Sequence, residues 1–444
     1  MINSKKCVPL IIATILSVAA ASTLGIAGKD NHKRSRYLGD DFKRYVIDCK
    51  LANFVSMDHC ISTMQGVGAS MEVKHMLKMD KVKAVAVTMS PGDFSLMEEA
   101  GYVIEEDPER YKPEPMVESS RKLQNQQIQF GINMVRAPET WDKFGVRGEG
   151  IRVCVMDSGL FSEHSDLTAS RISGYNGKEA VTPWNEDGNG HGTHVTGIIA
   201  AADNNRGAVG VAPDAEIYVV RVFSDEGRFF GSDITAAVEI CREANARIIN
   251  MSLGGPRSLS TENNTFNILA DEGIISIGAA GNDGNTEFSY PASYSAVLSV
   301  AAVDSNMNLA SFSQRNSKVD VAGPGVQIPS LGIDNGLTLL SGTSQAAPHV
   351  AGVVALMMSF NASVPSDSIL TALQDTANNP EIQKGRTDSF GHGIVDAFDA
   401  VTLLSTQFTQ LSGGKSDPPS AAGHIWPKSA PLLVIVSAIA AFML

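Results

Sequence analysis

The sequence predicts a three-layer α/β domain, with a central, mostly parallel sheet and helices on both faces, preceded by a small α+β unit. Three observations carry this. From about Ile128 to Leu404, short apolar strands alternate with helical segments. The strands are continuous β-branched runs rather than apolar–polar alternations, as a parallel sheet covered on both faces requires. Upstream, Pro108, Pro113 and Pro115 and the polar stretch Glu118–Gln127 mark a linker from an earlier, different pattern.

In the main domain the predicted strands are Ile151–Met156, Glu216–Phe223, Arg247–Asn250, Ile274–Ala279 and Val297–Val303. A helix follows His191, and others cover Ser232–Ala244, Ser260–Asp271, Ser344–Ser359, Ser366–Ala377 and Val395–Leu404. The leading unit runs from about Lys29 to Arg121. There Tyr45–Cys49, Val82–Thr88 and Tyr102–Glu106 read as strands, and Pro91–Ala100 as a helix whose proline suits a first turn. The stretch from Cys49 to Leu77 shows no clear pattern. No internal repeat is present.

The chain has 444 residues, 43% of them hydrophobic and 19% charged, which is ordinary for a globular protein. A net charge of −13 argues against a nucleic-acid partner, which needs a basic face. Lys5 and Lys6, the apolar run Val8–Val18 and the small residues Ala19–Ala21 read as a cleaved secretory signal, residues 1–21. At the other end, small-residue clusters (Ser412–Gly414, Ser420–Gly423), a polar spacer and an apolar tail, Leu432–Leu444, have the order of a glycosylphosphatidylinositol (GPI) anchor signal. A short tail anchor or a trimmed extension are the alternatives for residues 409–444, and any membrane contact is confined to this tail. Of five cysteines, Cys7 lies in the signal. Cys49 and Cys60 could pair in the leading unit. Cys154 and Cys241 sit inside apolar stretches and read as buried inert thiols, with a bridge between them as the alternative.

Three segments carry chemistry. Val155-Met156-Asp157-Ser158-Gly159 ends the first main-domain strand, where functional groups of α/β sheets gather, although an Asp there can simply cap a turn. Gly190-His191-Gly192-Thr193-His194-Val195 opens an apolar helix, and the flanking glycines let other groups approach the imidazole. Its two histidines lack the Glu and the i, i+4 spacing of a zinc-protease helix, so His194 reads as a packed core residue. Ser341-Gly342-Thr343-Ser344-Gln345-Ala346-Ala347-Pro348-His349 opens another apolar helix. A serine at a helix start is most often an N-cap. The Pro in the second turn is costly unless this turn is wanted, and helix N-terminal donors lie beside the serine.

Together, in the order Asp, His, Ser, these segments resemble the subtilase (subtilisin-like) serine proteases, over about Gln126 to Leu404. The resemblance implies a secreted endopeptidase forming an acyl-enzyme on Ser344, with His191 as base and Asp157 orienting it. Ala279-Ala280-Gly281-Asn282-Asp283-Gly284 is similar to the family's oxyanion motif, which implies Asn282 and the Ser344 N–H as donors. Loss of the equivalent Asn costs subtilisin about 10²–10³ in kcat. Ser252, Leu253 and Gly254 resemble the strand that pairs with substrate, and Glu226-Gly227-Arg228-Phe229 its opposite edge. Phe229 and Gly231 stand where the family shapes the pocket four residues before the cut. Ser289 stands near the primary pocket, with Asp283 either at its rim or a solvated loop acid. Broad or apolar-leaning specificity is expected. Gln345 replaces the family's usual Met, and the loop from Asn282 to Tyr290 is short, which leaves the pocket's preference open.

The resemblance also implies a structural Ca2+ held by side chains of Gln126, Asp166 and Asn204 and carbonyls of Ala202, Arg206 and Ala208. With Gln126 as ligand, the mature chain begins between Lys122 and Asn125. Residues 22–124 are then an inhibitory propeptide and folding aid, and residues 125–408 the peptidase domain. Asn263 and Asn361 head glycosylation sequons in expected loops, and Asn250 heads a formal one expected to stay unmodified. The expected partners are protein or peptide substrates and the chain's own propeptide, on a monomer. A silent binding protein on the same fold is the competing reading. A proprotein-convertase type lacks room for its added β domain after Leu404.

Overall fold

The computed structural model describes residues 42–49, 56–78, 82–110, 116–121, 126–177, 181, 183–223, 229–383 and 385–411. The described residues from Lys43 onward form one compact unit. The expected signal, residues 1–21, and the expected anchor signal beyond residue 411 lie outside the described residues. Among the described residues no helix is long and apolar enough to cross a membrane.

The leading unit runs β1 (Lys43–Asp48), α1 (Met57–Gly66), β2 (Met71–Leu77), β3 (Ala84–Met89), α2 (Pro91–Glu99) and β4 (Ile104–Glu106). Its four strands form one antiparallel sheet in the order β2-β3-β1-β4. The stretch without a clear pattern holds α1 and β2. Ser56 starts α1 by accepting from His59 N at 3.1 Å, a cap that local sequence permits at many serines. Most β2 side chains face outward, so β2 carries little apolar signal.

Two short strands come next, β5 (Glu109–Arg110) and β6 (Met116–Arg121). The polar stretch containing β6 reads as a linker in the sequence, yet β6 pairs antiparallel with a strand of the main domain, Leu337–Ser341. Backbone pairing at a hairpin edge needs no apolar side chains, so polarity did not reveal it.

The main domain continues with α3 (Phe130–Met134), α4 (Ala137–Phe144), β7 (Arg152–Asp157), β8 (Ile172–Gly174), α5 (His191–Ala200), β9 (Glu216–Arg221), β10 (Phe229–Phe230), α6 (Gly231–Glu243), β11 (Ile248–Met251), α7 (Ser260–Asp271), β12 (Ile275–Ala279), β13 (Val297–Val303) and β14 (Val321–Pro324). A hairpin of β15 (Ile328–Leu331) and β16 (Leu337–Ser341) leads into α8 (Thr343–Phe360), then α9 (Ser366–Thr376) and α10 (Ala397–Leu411). The central sheet has seven strands in the order β14-β13-β12-β11-β7-β9-β8, every neighbouring pair parallel. Along β7, Val153 and Val155 pack to one side with α5 and α8, while Cys154 and Met156 pack to the other with α6 and α7. This is the three-layer arrangement that the continuous apolar runs predict.

Two expectations need correction. Cys154 and Cys241 are not free thiols: a disulfide joins β7 to α6, beside a second between Cys49 and Cys60. An apolar neighbourhood suits a thiol and a disulfide equally, so composition did not separate them. Asn263 lies in α7 rather than in a loop.

Candidate active site

β7 stands between β9 and β11, although the chain passes through β8 and β9 before crossing to β11. Such a switch in strand order opens a crevice outside the carboxyl ends of the strands. Asp157 ends β7 there, fully buried. Its Oδ1 accepts from His191 Nδ1 at 2.8 Å and from Ser158 N at 2.7 Å. A carboxylate accepting at Nδ1 puts the imidazole proton on that nitrogen and leaves Nε2 as the basic atom. His191 Nε2 is buried without a hydrogen-bond partner.

Asp187, which no sequence motif singles out, holds this pair in place. Its Oδ2 accepts from Thr193 N at 2.9 Å and Thr193 Oγ1 at 2.6 Å, in the first turn of α5. Its Oδ1 accepts from Gly190 N and Ser158 Oγ, both at 2.8 Å. Ser158 Oγ in turn accepts from Gly192 N at 2.9 Å. One buried carboxylate thus caps the helix that begins at His191 and ties it to the residue after Asp157. An Asp in a Gly/Asn-rich turn just before a helix is the signal that could have found it.

β11 is the neighbour of β7, β12 lies next beyond β11, and the three parallel strands share one carboxyl edge. Ser252 follows β11 and Asn282 follows β12, and both hold the start of α8. Pro348 has no N–H to give to the carbonyl four residues back, that of Ser344. Ser252 Oγ supplies the missing donor at 2.8 Å. Ser344 Oγ donates to Ser252 O at 3.3 Å. Asn282 Oδ1 accepts from Thr343 N and Thr343 Oγ1, both at 2.8 Å. Those two bonds fix the amide, leaving its Nδ2 as the free donor. The Ser344 N–H, in the first turn of α8, has no intrahelical acceptor. Ser344 and Asn282 line a cleft of about 410 Å3, together with Leu253, Gly254, Ala279 and Ser289.

The Subtilase family profile matches residues 148–393. M-protease of Shouchella clausii (strain KSM-K16) is 32% identical over 394 residues, covering 87% of this chain and 97% of its own. The chain belongs to the subtilase family. Subtilisin BL of Lederbergia lenta is 38% identical over 276 residues, 61% of this chain and 98% of its own. The crystal structure of Apa1, a psychrophilic subtilisin-like protease from Pseudoalteromonas sp. AS-11, superimposes with a TM-score of 0.59 at 26% identity, covering 64% of this chain and 99% of its own. This subtilase is a serine endopeptidase acting on protein or peptide substrates.

In the subtilase, Leu253, Gly254, Asp283 and Ser289 line the cleft. Ser252 is set back, bonded to Ser344. Phe229 is turned away: its ring stacks on Phe223 at 5.2 Å in the core, and only its backbone serves the strand edge. Gly227 lies outside the described residues. Glu287, Phe288 and Gln314 also line the cleft. Gln314 comes from a distant loop, where no local motif announces it. His194 is a core residue as expected: its Nε2 sits 3.0 Å from both Ile328 O and Thr338 O. Burial first, and then His191, lower its pKa to about 3, so it stays neutral.

The residues expected around a cation lie as follows. Gln126 Nε2 lies 3.1 Å from both Ala202 O and Ala208 O, and Asp166 Oδ2 accepts from Ala208 N at 2.7 Å. Asp166 Oδ1 is buried with no hydrogen-bond partner, and burial raises this carboxyl's pKa. Two carbonyls that meet at the Gln126 amide and an orphaned carboxylate oxygen on Asp166 are donors of the type that suits a hard cation. Asn204 instead turns its Oδ1 to Arg206 N at 3.1 Å.

Proposed function

We propose that Ser344, His191 and Asp157 form the catalytic triad of a secreted endopeptidase that is released from its own leading unit. The observation that carries this is the 2.8 Å bond from His191 Nδ1 to Asp157, both buried, at the strand edge where Ser344 and Asn282 line one cleft. His191 Nε2 takes the Ser344 Oγ proton as Oγ attacks the scissile carbonyl. The same proton then goes to the leaving amine, and the acyl-enzyme forms. Water repeats the sequence in the deacylation step. Asp157 holds the tautomer and stabilises the imidazolium. The Asn282 Nδ2 and Ser344 N–H donors stabilise the oxyanion. The peptide adds as a strand between the edge ending at Phe229 and the Leu253–Gly254 segment. The Leu253, Ala279 and Phe288 walls favour broad, apolar-leaning selection.

Residues 22–124 serve as inhibitory propeptide, the first 21 residues as signal, and the C-terminal tail as a GPI-type signal. A match covering 87% of the chain necessarily takes in part of the leading unit, which supports reading it as part of the family's precursor. Calcium suits the loop at Gln126, Asp166, Ala202 and Ala208; presenting Oε1 to the ion means turning the Gln126 amide, which gives up the bond that it accepts from Asn205 N at 2.8 Å. The ion would supply positive charge that ties the mature N-terminus to the domain. Asn204 and Arg206 complete the proposed shell.

The test compares wild type with Ser344→Ala, both expressed as full chains with calcium. Wild type removes its leading unit, digests casein and takes up a fluorophosphonate probe; Ser344→Ala does none of these, a loss of order ~10⁶ in kcat, as in subtilisin. A wild type equally inert after correct folding and removal of the leading unit would favour the binding-protein reading.

A further inference from the structure

Arg110 is fully buried. Its Nη1 donates to Arg257 O at 2.8 Å and its Nη2 to Glu262 Oε2. Glu262, in the first turn of α7, is 0% exposed. Its Oε2 also accepts from Tyr294 Oη at 2.7 Å, and Tyr294 Oη in turn accepts from Leu259 N at 2.7 Å. The carboxylate, the tyrosine and the Arg257 carbonyl all belong to the peptidase domain, whereas the cation comes from the leading unit. Gly231 keeps the socket wide. A Cβ there would lie 3.0 Å from Leu259 Cδ2 and 3.2 Å from Arg110 Nη2, so a larger side chain would take the guanidinium's room.

Arg110 reaches this socket along the substrate track. Its backbone is β5, paired antiparallel with β10. On its other side lies Gly255, where a Cβ would be 3.1 Å from Glu109 O and 3.2 Å from Arg110 Cδ. Gly255 lines the same cleft as Ser344. When the leading unit departs, Glu262 loses its cation, and an unpaired carboxylate at the base of a pocket is costly. An apolar residue would seal the same contact at no such cost, so the buried acid is better explained by recognition than by packing.

The geometry points to an arginine-selective subsite upstream of the cut, with Glu262 as its specificity-determining residue and Arg110 as the side chain through which the leading unit occupies it. Two acceptors, a carbonyl and a carboxylate, meet two nitrogens of one planar fork, which selects Arg over Lys. The sequence resemblance puts Gly231 at the pocket for the residue four before the cut, so arginine is expected to act there; Arg110 in that register places a first cut after Pro113, upstream of the final mature start between Lys122 and Asn125. This rests on the propeptide reading of the leading unit.

The test uses the self-processed full-length enzyme, its active sites counted by fluorophosphonate uptake. Quenched peptides carry Arg, Lys or Leu in turn at positions two to five before the scissile bond. The expected result is a tenfold or greater gain in kcat/KM for Arg over Leu at a single position, with Lys well behind. In Glu262→Gln that ratio falls toward one. The wild-type scan stands alone if Glu262→Gln fails to fold. A flat profile in enzyme that takes up the probe overturns the subsite while leaving the protease reading intact. Wild type that takes up no probe overturns both.

Discussion

The leading unit and the peptidase domain each bury both faces of a sheet, by different means. In the peptidase domain, side chains alternate along β7 toward α5 and α8 on one face and α6 and α7 on the other, all within the domain. In the leading unit, Tyr45, Ile47, Val85 and Val87 pack on Cys60, Met64 and Met97 of its own two helices. Val46, Ala84 and Ala86, on the opposite face, join a cluster with Ile234, Val238 and Cys241 of α6. The polar contacts repeat this dependence. Asp107 accepts from Ser232 N at 3.0 Å and Glu105 from Ser260 N at 3.0 Å, seating two carboxylates on the first turns of α6 and α7. Arg44 bridges Asp107 at 2.9 Å and Asp233 at 2.6 Å. The central sheet of the peptidase domain is covered by that domain's own helices, whereas the sheet of the leading unit borrows one.

The largest expected effect tests that dependence directly. Lys43–Arg121 expressed alone should lack fixed tertiary structure, seen as weak near-ultraviolet circular dichroism, and should gain it on adding the Ser344→Ala peptidase domain. A unit folded in isolation would break the comparison. Next come the disulfides, one in each region. Replacing Cys154 and Cys241 by Ala should destabilise the peptidase domain by about 4–5 kcal/mol, because that bridge closes a long loop; the shorter Cys49–Cys60 loop is worth about 2–3 kcal/mol. Denaturant melts of the two double mutants give both numbers. Chelating calcium should then lower peptidase-domain stability by about 3 kcal/mol relative to saturating ion. Asp166→Asn should abolish the chelator's effect in a calorimetric scan. The smallest effect separates the two faces of the leading unit. Val46→Ala should weaken its inhibition of the mature enzyme about tenfold, from about 1.6 kcal/mol of lost burial. Val85→Ala should cost similar energy but appear mainly as lower stability of the unit within the complex.

Local sequence determined the peptidase layers and the segments proposed as catalytic, because their signals are short in range. Continuous β-branched runs announce a two-sided sheet. Gly190-His191-Gly192 and Gly342-Thr343-Ser344 announce helix starts that carry a functional group. Tertiary structure alone decided the rest. Asp187 matters because α5 and the end of β7 meet at its two oxygens. The Cys154–Cys241 bridge spans 87 residues, and Arg110 meets Glu262 across 152. β6 finds its partner at Leu337–Ser341, far downstream, on the side of that strand away from β15. Spacing in sequence reports which groups share a helix face or a strand, over a few residues. A buried ion pair, a disulfide or a strand edge is set by where the folded chain returns, and that return depends on the packing of every layer between.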